Sequence, residues 1–133
     1  MASDPIEITR RLHAALEAGD HGEALRALFT PEAFTIEHPN ALKPAGARTA
    51  LDDMLAASTA GAGMLASQRY EIRHAVAEGT RAALALRWVG VIAADVGPFR
   101  AGQELIAEIA QFVDTDGERI RSIETYDCYQ PFS

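Results

Sequence analysis

The sequence predicts an α+β fold in which three N-terminal helices pack on one face of a curved antiparallel sheet. Two observations carry this prediction. Helical periodicity and helix-capping residues are confined to the first half of the chain, with one short strand inserted among them. From Ser67 onward the pattern changes to strand-like alternation interrupted by hairpin turns. Such segregation of helices from strands is typical of α+β folds, not of folds in which helices and parallel strands alternate.

The predicted first helix begins after Asp4, an N-cap residue followed by a proline and a capping-box glutamate. Gly19 ends its repeating apolar face. A second, short helix begins at Asp20 and ends before Thr30-Pro31, and a third covers about Arg48 to Thr59. The apolar positions of these helices supply half of the predicted core.

Five segments show the alternation of strands. They are 33–38, 68–77, 81–94, 103–113 and 119–129. Turns at Glu78-Gly79 and at Asp114 to Gly117 join successive strands into a meander. Both faces of 103–113 are mixed, so periodicity leaves its inward face open. The residues predicted to be mostly buried are Leu12, Leu16, Leu51, Leu55, Leu84, Leu86 and Trp88.

Composition limits the classes of function. A chain of 133 residues, 48% apolar and 23% charged, has the length and composition of one globular domain. The net charge of −7 and the scattered basic residues make nucleic acid and anionic membranes poor partners. Cys128 is the one cysteine, and His13, His21 and His74 show no metal-ligand spacing, so we expect no metal site and interpret these histidines as surface or helix residues. The start of the chain lacks the features of a signal peptide, and we expect a cytoplasmic, bacterial-type protein.

Three motifs carry a resemblance to a known family. They are Ala18-Gly19-Asp20 between the first helices, Ile36-Glu37-His38-Pro39 at the end of a strand, and the Asp-Gly turn before the aromatic strand 119–129. In this combination and order the chain resembles the nuclear transport factor 2-like superfamily, in its SnoaL-like and ketosteroid-isomerase-like branches, from Ile6 to Phe132. The resemblance implies a single SnoaL-like domain over 1–133. It also implies a cone-like sheet, an apolar pocket at the wide end, no cofactor, and a homodimer formed through the outer sheet face.

His38 is the first candidate catalytic residue. It alternates with Phe34 and Ile36, so the pattern predicts that these three side chains point into the core while Glu37 points away. An imidazole can transfer protons near neutral pH. The resemblance implies the same role, because ketosteroid isomerases carry a proton-transferring aspartate at the position before the proline. The alternative is a buried histidine with a purely structural hydrogen bond.

Asp127 is the second candidate. It alternates with Ile123, Thr125 and Tyr129, and the resemblance places this set toward the pocket. SnoaL-like cyclases rely on an inward aspartate as acid or base, which implies that role for Asp127. The alternatives are a structural ion pair, or a register shifted by one residue that turns the side chain outward.

The expected ligand is a small, largely apolar carbonyl or polyketide-like compound, bound by Trp88, Phe34, Ile36, Ile123, Thr125 and Tyr129. Two functions stay open: a cofactor-free cyclase, isomerase or lyase, and a non-catalytic binding or dimerisation module of the same fold. Steroid isomerisation is disfavoured. Leu12 falls where that branch has its oxyanion-stabilising tyrosine, and Ile109, or Glu108 if the register shifts by one, falls where it has the acid.

Overall fold

The computed structural model describes residues 3–132. Its helices are α1 (Pro5–Glu17), α2 (Glu23–Arg26) and α3 (Leu51–Ala62). Its strands are β1 (Phe29–Glu37), β2 (Ala47–Ala50), β3 (Leu65–Glu78), β4 (Arg81–Ile92), β5 (Glu104–Thr115) and β6 (Ile120–Tyr129). The strands form one sheet in the order β2-β1-β6-β5-β4-β3.

The predicted α+β class is confirmed, with one departure from an entirely antiparallel sheet. β1 pairs with β6 in parallel, whereas the other neighbouring strands are antiparallel. A parallel pair requires a long connection, and here the whole meander lies between its two members. β2 was not predicted, because its four residues carry no clear alternation ahead of the third helix.

β1 begins four residues earlier than predicted. The predicted second helix shrinks to one turn, and Thr30 and Pro31, interpreted as a helix end, belong to the strand. A register shift between Phe29 and Phe34 lets Pro31 sit exposed on an irregular stretch where no ladder hydrogen bond is needed. Because the predicted strand began at Ala33, it left out the buried Phe29, which would have indicated the register of the strand.

The hydrophobic core lies between the helices and one face of the sheet. Five of the seven residues predicted to be buried are buried, and Leu16 and Trp88 are half-buried and pack against the core. α1 has the capped start that the sequence predicts, with the Asp4 side chain accepting a hydrogen bond from the Ile6 amide at 2.8 Å. Fully buried Ile8 and Leu86 lie in this core.

The sheet has two chemically different faces. Residues directly opposite each other on neighbouring strands share a face. The inner face, toward α1 and α3, contains the row Leu84, Gln111, Thr125 and Glu37. The outer face contains the adjacent row Ala83, Phe112, Glu124, Ile36 and Arg48. None of the helices within residues 3–132 combines the length and apolar character that a membrane crossing requires.

Candidate functional site

A cavity of about 230 Å³ lies between the helices and the inner face. Its apolar wall includes Leu12, Leu16, Phe29, Met54, Leu55 and Ile123. Its polar wall consists of Thr35, Glu37, Ser58, Gln111 and Thr125. A concave, mostly apolar space with a few polar groups is the usual form of a small-molecule site.

Glu37 is the charged side chain of this wall. It ends β1, and the loop that follows turns back so that Lys43 Nζ lies 3.3 Å from Glu37 Oε1 and Asn40 Nδ2 donates to Glu37 Oε2 at 2.8 Å. Gly46, at φ 66°, permits this return, because a Cβ there would lie 2.5 Å from the Glu37 carbonyl oxygen. The loop therefore holds the Glu37 side chain beside a cation and an amide donor at the edge of the cavity.

Asp127 lies on the same inner face, next to Thr125 along β6. Burial raises the pKa of its carboxyl above the usual 3.8, and the nearby charge of Glu37 raises it further, while Thr125 and Lys43 act in the opposite direction. Its Oδ1 atom is buried and has no hydrogen-bond partner within the described residues. Desolvation and a like charge thus favour the protonated acid, beside a second carboxyl group that is held by a lysine.

Aromatic side chains surround this pair of carboxyl groups. The ring of Tyr129 meets that of Trp88 edge to face, with centroids 6.4 Å apart. Burial, and after it the charges of Asp127 and Glu37, raise the pKa of the Tyr129 phenol. Gln68 orients Trp88 and Tyr70, because its Oε1 accepts a hydrogen bond from Trp88 Nε1 at 2.9 Å and from the Tyr70 hydroxyl at 3.2 Å.

His13 on α1 is a buried polar residue of the inner side. Its Nε2 atom lies 2.9 Å from Gln111 Oε1, and its ring stacks on Tyr70 with centroids 4.4 Å apart. Burial lowers the pKa of His13 below 6.5, with the Gln111 contact acting in the opposite direction. The ring is thus held neutral against the back of the cavity wall.

The sequence model of the SnoaL-like domain family matches residues 9–123. The chain belongs to this family. A search of curated proteins found no match. Solved bacterial proteins share the fold of this SnoaL-like domain, and the three described next are less than 25% identical to it, so they indicate the fold alone.

Three of these structures illustrate the likeness. IdmH of Streptomyces antibioticus, named as a candidate polyketide cyclase, is 18% identical over 94% of this chain and 92% of its own, with a TM-score of 0.76. A candidate SnoaL-like polyketide cyclase of Jannaschia sp. CCS1 is 14% identical over 95% and 86%, with a TM-score of 0.72. A protein of ketosteroid isomerase-like fold from Catenulispora acidiphila, in complex with trimethylamine, is 23% identical over 90% and 84%, with a TM-score of 0.69.

The expected orientation of His38 is wrong. Its Nε2 atom lies 2.6 Å from Glu124 Oε2, and its ring stacks on Tyr126 with centroids 4.0 Å apart. Glu124 and Tyr126 alternate with Asp127 along β6 and occupy the outer face. The sheet therefore separates His38 from Asp127, and the two cannot act as a pair in one pocket. The inward-facing neighbour is Glu37.

Phe34 is also on the outer face, where the Arg48 guanidinium lies 4.1 Å from its ring centroid. Ile36 borders the cavity, although its partner Glu124 belongs to the outer face. The alternation predicted that the bulky apolar residues of β1 point inward, but Phe34 points outward and is covered by Arg48. The inward direction expected for Ile123, Thr125, Asp127 and Tyr129 agrees with their pairing partners, and Ile123 and Thr125 border the cavity.

Three polar residues of the inner side, Glu37, His13 and Gln111, were not predicted as site residues. If the strand had been predicted to begin at Phe29, the alternation from this buried residue would have placed Ala33 and Glu37 on the inner face. On α1, the i, i+4 series Pro5, Thr9 and His13 flanks the apolar face and is buried with it, so a wider helical stripe would have included His13. Nothing in the sequence distinguishes Gln111 from the other polar residues of a strand whose two faces are both mixed.

Proposed function

We propose that this SnoaL-like domain is a cofactor-free acid/base enzyme of isomerase, cyclase or lyase type. Its substrate would be a small, largely apolar carbonyl or polyketide-like compound. One observation carries the proposal: two carboxyl groups on the inner face have different environments, Glu37 in the cavity wall beside Lys43 and Asp127 desolvated. Pairs of acids whose surroundings separate their protonation behaviour are the usual basis of acid/base assignments.

The two environments suggest different roles. Glu37, a carboxylate in the cavity wall, is suited to take a proton from the carbon next to a carbonyl group. Asp127, favoured in its protonated form, is suited to give a proton or a hydrogen bond to the oxygen that becomes negative. The apolar wall strengthens both interactions by excluding water.

The names of the similar structures support the same class of chemistry without identifying a substrate. IdmH and the Jannaschia protein are each named as candidate polyketide cyclases. The second candidate function is a module that holds such a compound without converting it. It is favoured by the buried, unpartnered Oδ1 of Asp127, which is not open to a ligand in this conformation.

Deuterium exchange at carbon tests catalysis without knowledge of the product. The wild-type protein is incubated in heavy water with a panel of small 1,3-diketones and aryl ketones, and the isotope content of each compound is followed by mass spectrometry. We expect at least one compound to exchange faster than in buffer. Glu37→Gln and Asp127→Asn should each slow that exchange about a hundredfold or more, the usual effect of losing a general acid or base.

His38→Ala is the matched control, because it removes the neighbouring side chain of the same strand end on the opposite face. We expect it to keep exchange within about threefold of wild type, as for a group without contact to the substrate. Binding of the ketones without any exchange would favour the non-catalytic module. A large loss in His38→Ala alone would contradict the assignment to the inner face.

We also propose a homodimer formed through the outer face. Val76, Phe112 and Tyr126 are 69%, 47% and 44% exposed there, beside a concavity of about 480 Å³. Exposed apolar groups of this size favour a partner surface. Charges of both signs, Arg81 and Asp114 among them, lie on the same rim, so a second copy turned by a twofold axis offers complementary charges.

Sedimentation velocity at micromolar concentration tests the dimer. Wild type should sediment as a dimer, and Phe112→Glu should sediment as a folded monomer, because it introduces a charge into the apolar centre. Val96→Glu, at an exposed apolar residue outside the sheet face, is the control that should leave the dimer intact. A wild-type monomer at these concentrations would contradict the proposal.

A further inference from the structure

Among the residues that the structure describes, Gln111 is the one amide side chain in the cavity wall. It lies in the middle of β5, between Leu84 and Thr125 on the inner face, and is only 8% exposed. Burying an amide costs free energy unless its polar atoms find partners or a use. The positions of its two polar atoms therefore indicate what the residue does.

The oxygen of Gln111 is occupied. Oε1 lies 2.9 Å from His13 Nε2, and because an amide oxygen only accepts, His13 donates Nε2–H in this contact. His13 itself is 4% exposed, and its ring is fixed by stacking on Tyr70 at an interplanar angle of 10°. A fixed donor on a fixed ring also fixes the plane of the Gln111 amide.

The nitrogen of Gln111 is free. Among residues 3–132, Gln111 Nε2 donates to no protein acceptor, and it is not among the fully enclosed, unpartnered atoms, so it keeps accessible surface in a residue that borders the cavity. The Ser58 hydroxyl, by contrast, already donates to the Leu55 carbonyl and accepts from the Gly22 amide. Gln111 thus presents an oriented N–H donor to the cavity.

We propose that the Gln111 amide is the group that binds the carbonyl oxygen of the ligand, and that His13 is the positioning residue that turns this amide's N–H toward the cavity. The inference rests on the proposed function for the identity of the ligand class. Glu37, on the same inner row, is an acceptor and repels a carbonyl oxygen, so the ligand is oriented with its oxygen toward Gln111. Its acidic C–H bonds then lie toward Glu37.

A pair of isosteric probes isolates this one hydrogen bond. Acetophenone and α-methylstyrene have the same shape and differ in a carbonyl oxygen replaced by a methylene group. The dissociation constant of each is measured by NMR titration, and the ratio between them reports the contribution of the oxygen. Gln111→Met keeps the volume and removes the donor, and we expect it to lower the preference for acetophenone about three- to tenfold, the range of a neutral hydrogen bond.

Two more variants keep the test decisive if Gln111→Met unfolds. Gln111→Glu retains an acceptor for His13 but removes the N–H donor, so the preference should fall there too. His13→Phe retains the stack on Tyr70 but removes the ring N–H, and should lower the preference with a smaller effect on α-methylstyrene. Gln130→Met, at an exposed glutamine outside this cavity, is the control that should leave the ratio unchanged. Ring ¹⁵N shifts should show His13 as the Nε2–H tautomer in the wild-type protein.

The outcomes separate this inference from the proposed function. A ratio that is the same in wild type, Gln111→Met and Gln111→Glu would overturn the inference even if deuterium exchange is observed. So would a failure of wild type to bind either probe, because the inference requires an open cavity. A ratio that falls as expected, in a protein that exchanges no ketone, would support the carbonyl site and contradict catalysis.

Discussion

The two faces of this sheet are built from neighbouring residues and have opposite chemistry. Along β1, Glu37 borders the cavity while His38 pairs with Glu124 on the outer side. Along β6, Asp127 is half-buried and lacks a partner for one oxygen, while Tyr126 is exposed. One residue of register thus decides whether a side chain is available for chemistry or for assembly.

The charged and titratable groups of the two faces also lie in different environments. On the outer face opposite charges are paired at the surface, as Arg87 Nη2 and Glu108 Oε1 are at 2.6 Å. On the inner side, burial raises the pKa of Asp127 and lowers the pKa of His13, so it disfavours the charged form of each. Arrangements that shift pKa values in a cleft are typical of functional sites.

Deleting core contacts should give the largest difference between the faces. Leu86 lies on the inner face and is 1% exposed. Leu86→Ala should therefore lower the free energy of unfolding by about 2–5 kcal/mol. Val76→Ala on the outer face should change the stability of the monomer by no more than about 0.5 kcal/mol. Urea unfolding at several protein concentrations measures both, and equal effects would contradict the assignment of the faces.

The position of the Trp88 indole should depend on the absence of a side chain at Gly90. A Cβ on Gly90 would lie 2.6 Å from Trp88 Cζ2 and 3.2 Å from Leu65 Cδ2, so Gly90→Ala must displace the indole from Gln68. We expect a loss of about 1–3 kcal/mol and a shift of the tryptophan fluorescence, as for an overpacked core. Gly63→Ala, where a Cβ meets nothing within 4 Å, should change neither quantity.

The buried histidine should make stability depend on pH. Because the pKa of His13 is lowered in the folded state, the unfolded chain binds more protons below pH 6.5, and stability falls as the pH falls from there toward the folded pKa. The slope can reach about 1.4 kcal/mol per pH unit. His13→Phe should flatten this fall in stability below pH 6.5, the ordinary value from which burial lowers the pKa of His13. An unchanged profile in His13→Phe would contradict the burial of a neutral ring.

The sequence was sufficient for the fold class because capping, periodicity and turns are local. It failed at β1, where the side of the strand that is buried depends on pairing with β6, more than eighty residues away in the chain. Phe34 and Ile36 made the wrong face look like the core, and a cation from β2 covers Phe34. His13 and Gln111 become meaningful only as a pair that links α1 to β5, and no spacing in the chain records that contact.

Burial on the inner face and the neighbouring charge of Glu37 should together raise the pKa of Asp127. Selective ¹³C labelling of aspartate side chains allows the Asp127 carboxyl to be titrated by NMR. We predict a pKa above 3.8 that falls in Glu37→Gln, because the neighbouring negative charge is removed, and that is unchanged in His38→Ala. A pKa at or below 3.8, or one that responds to His38→Ala and not to Glu37→Gln, would contradict the account.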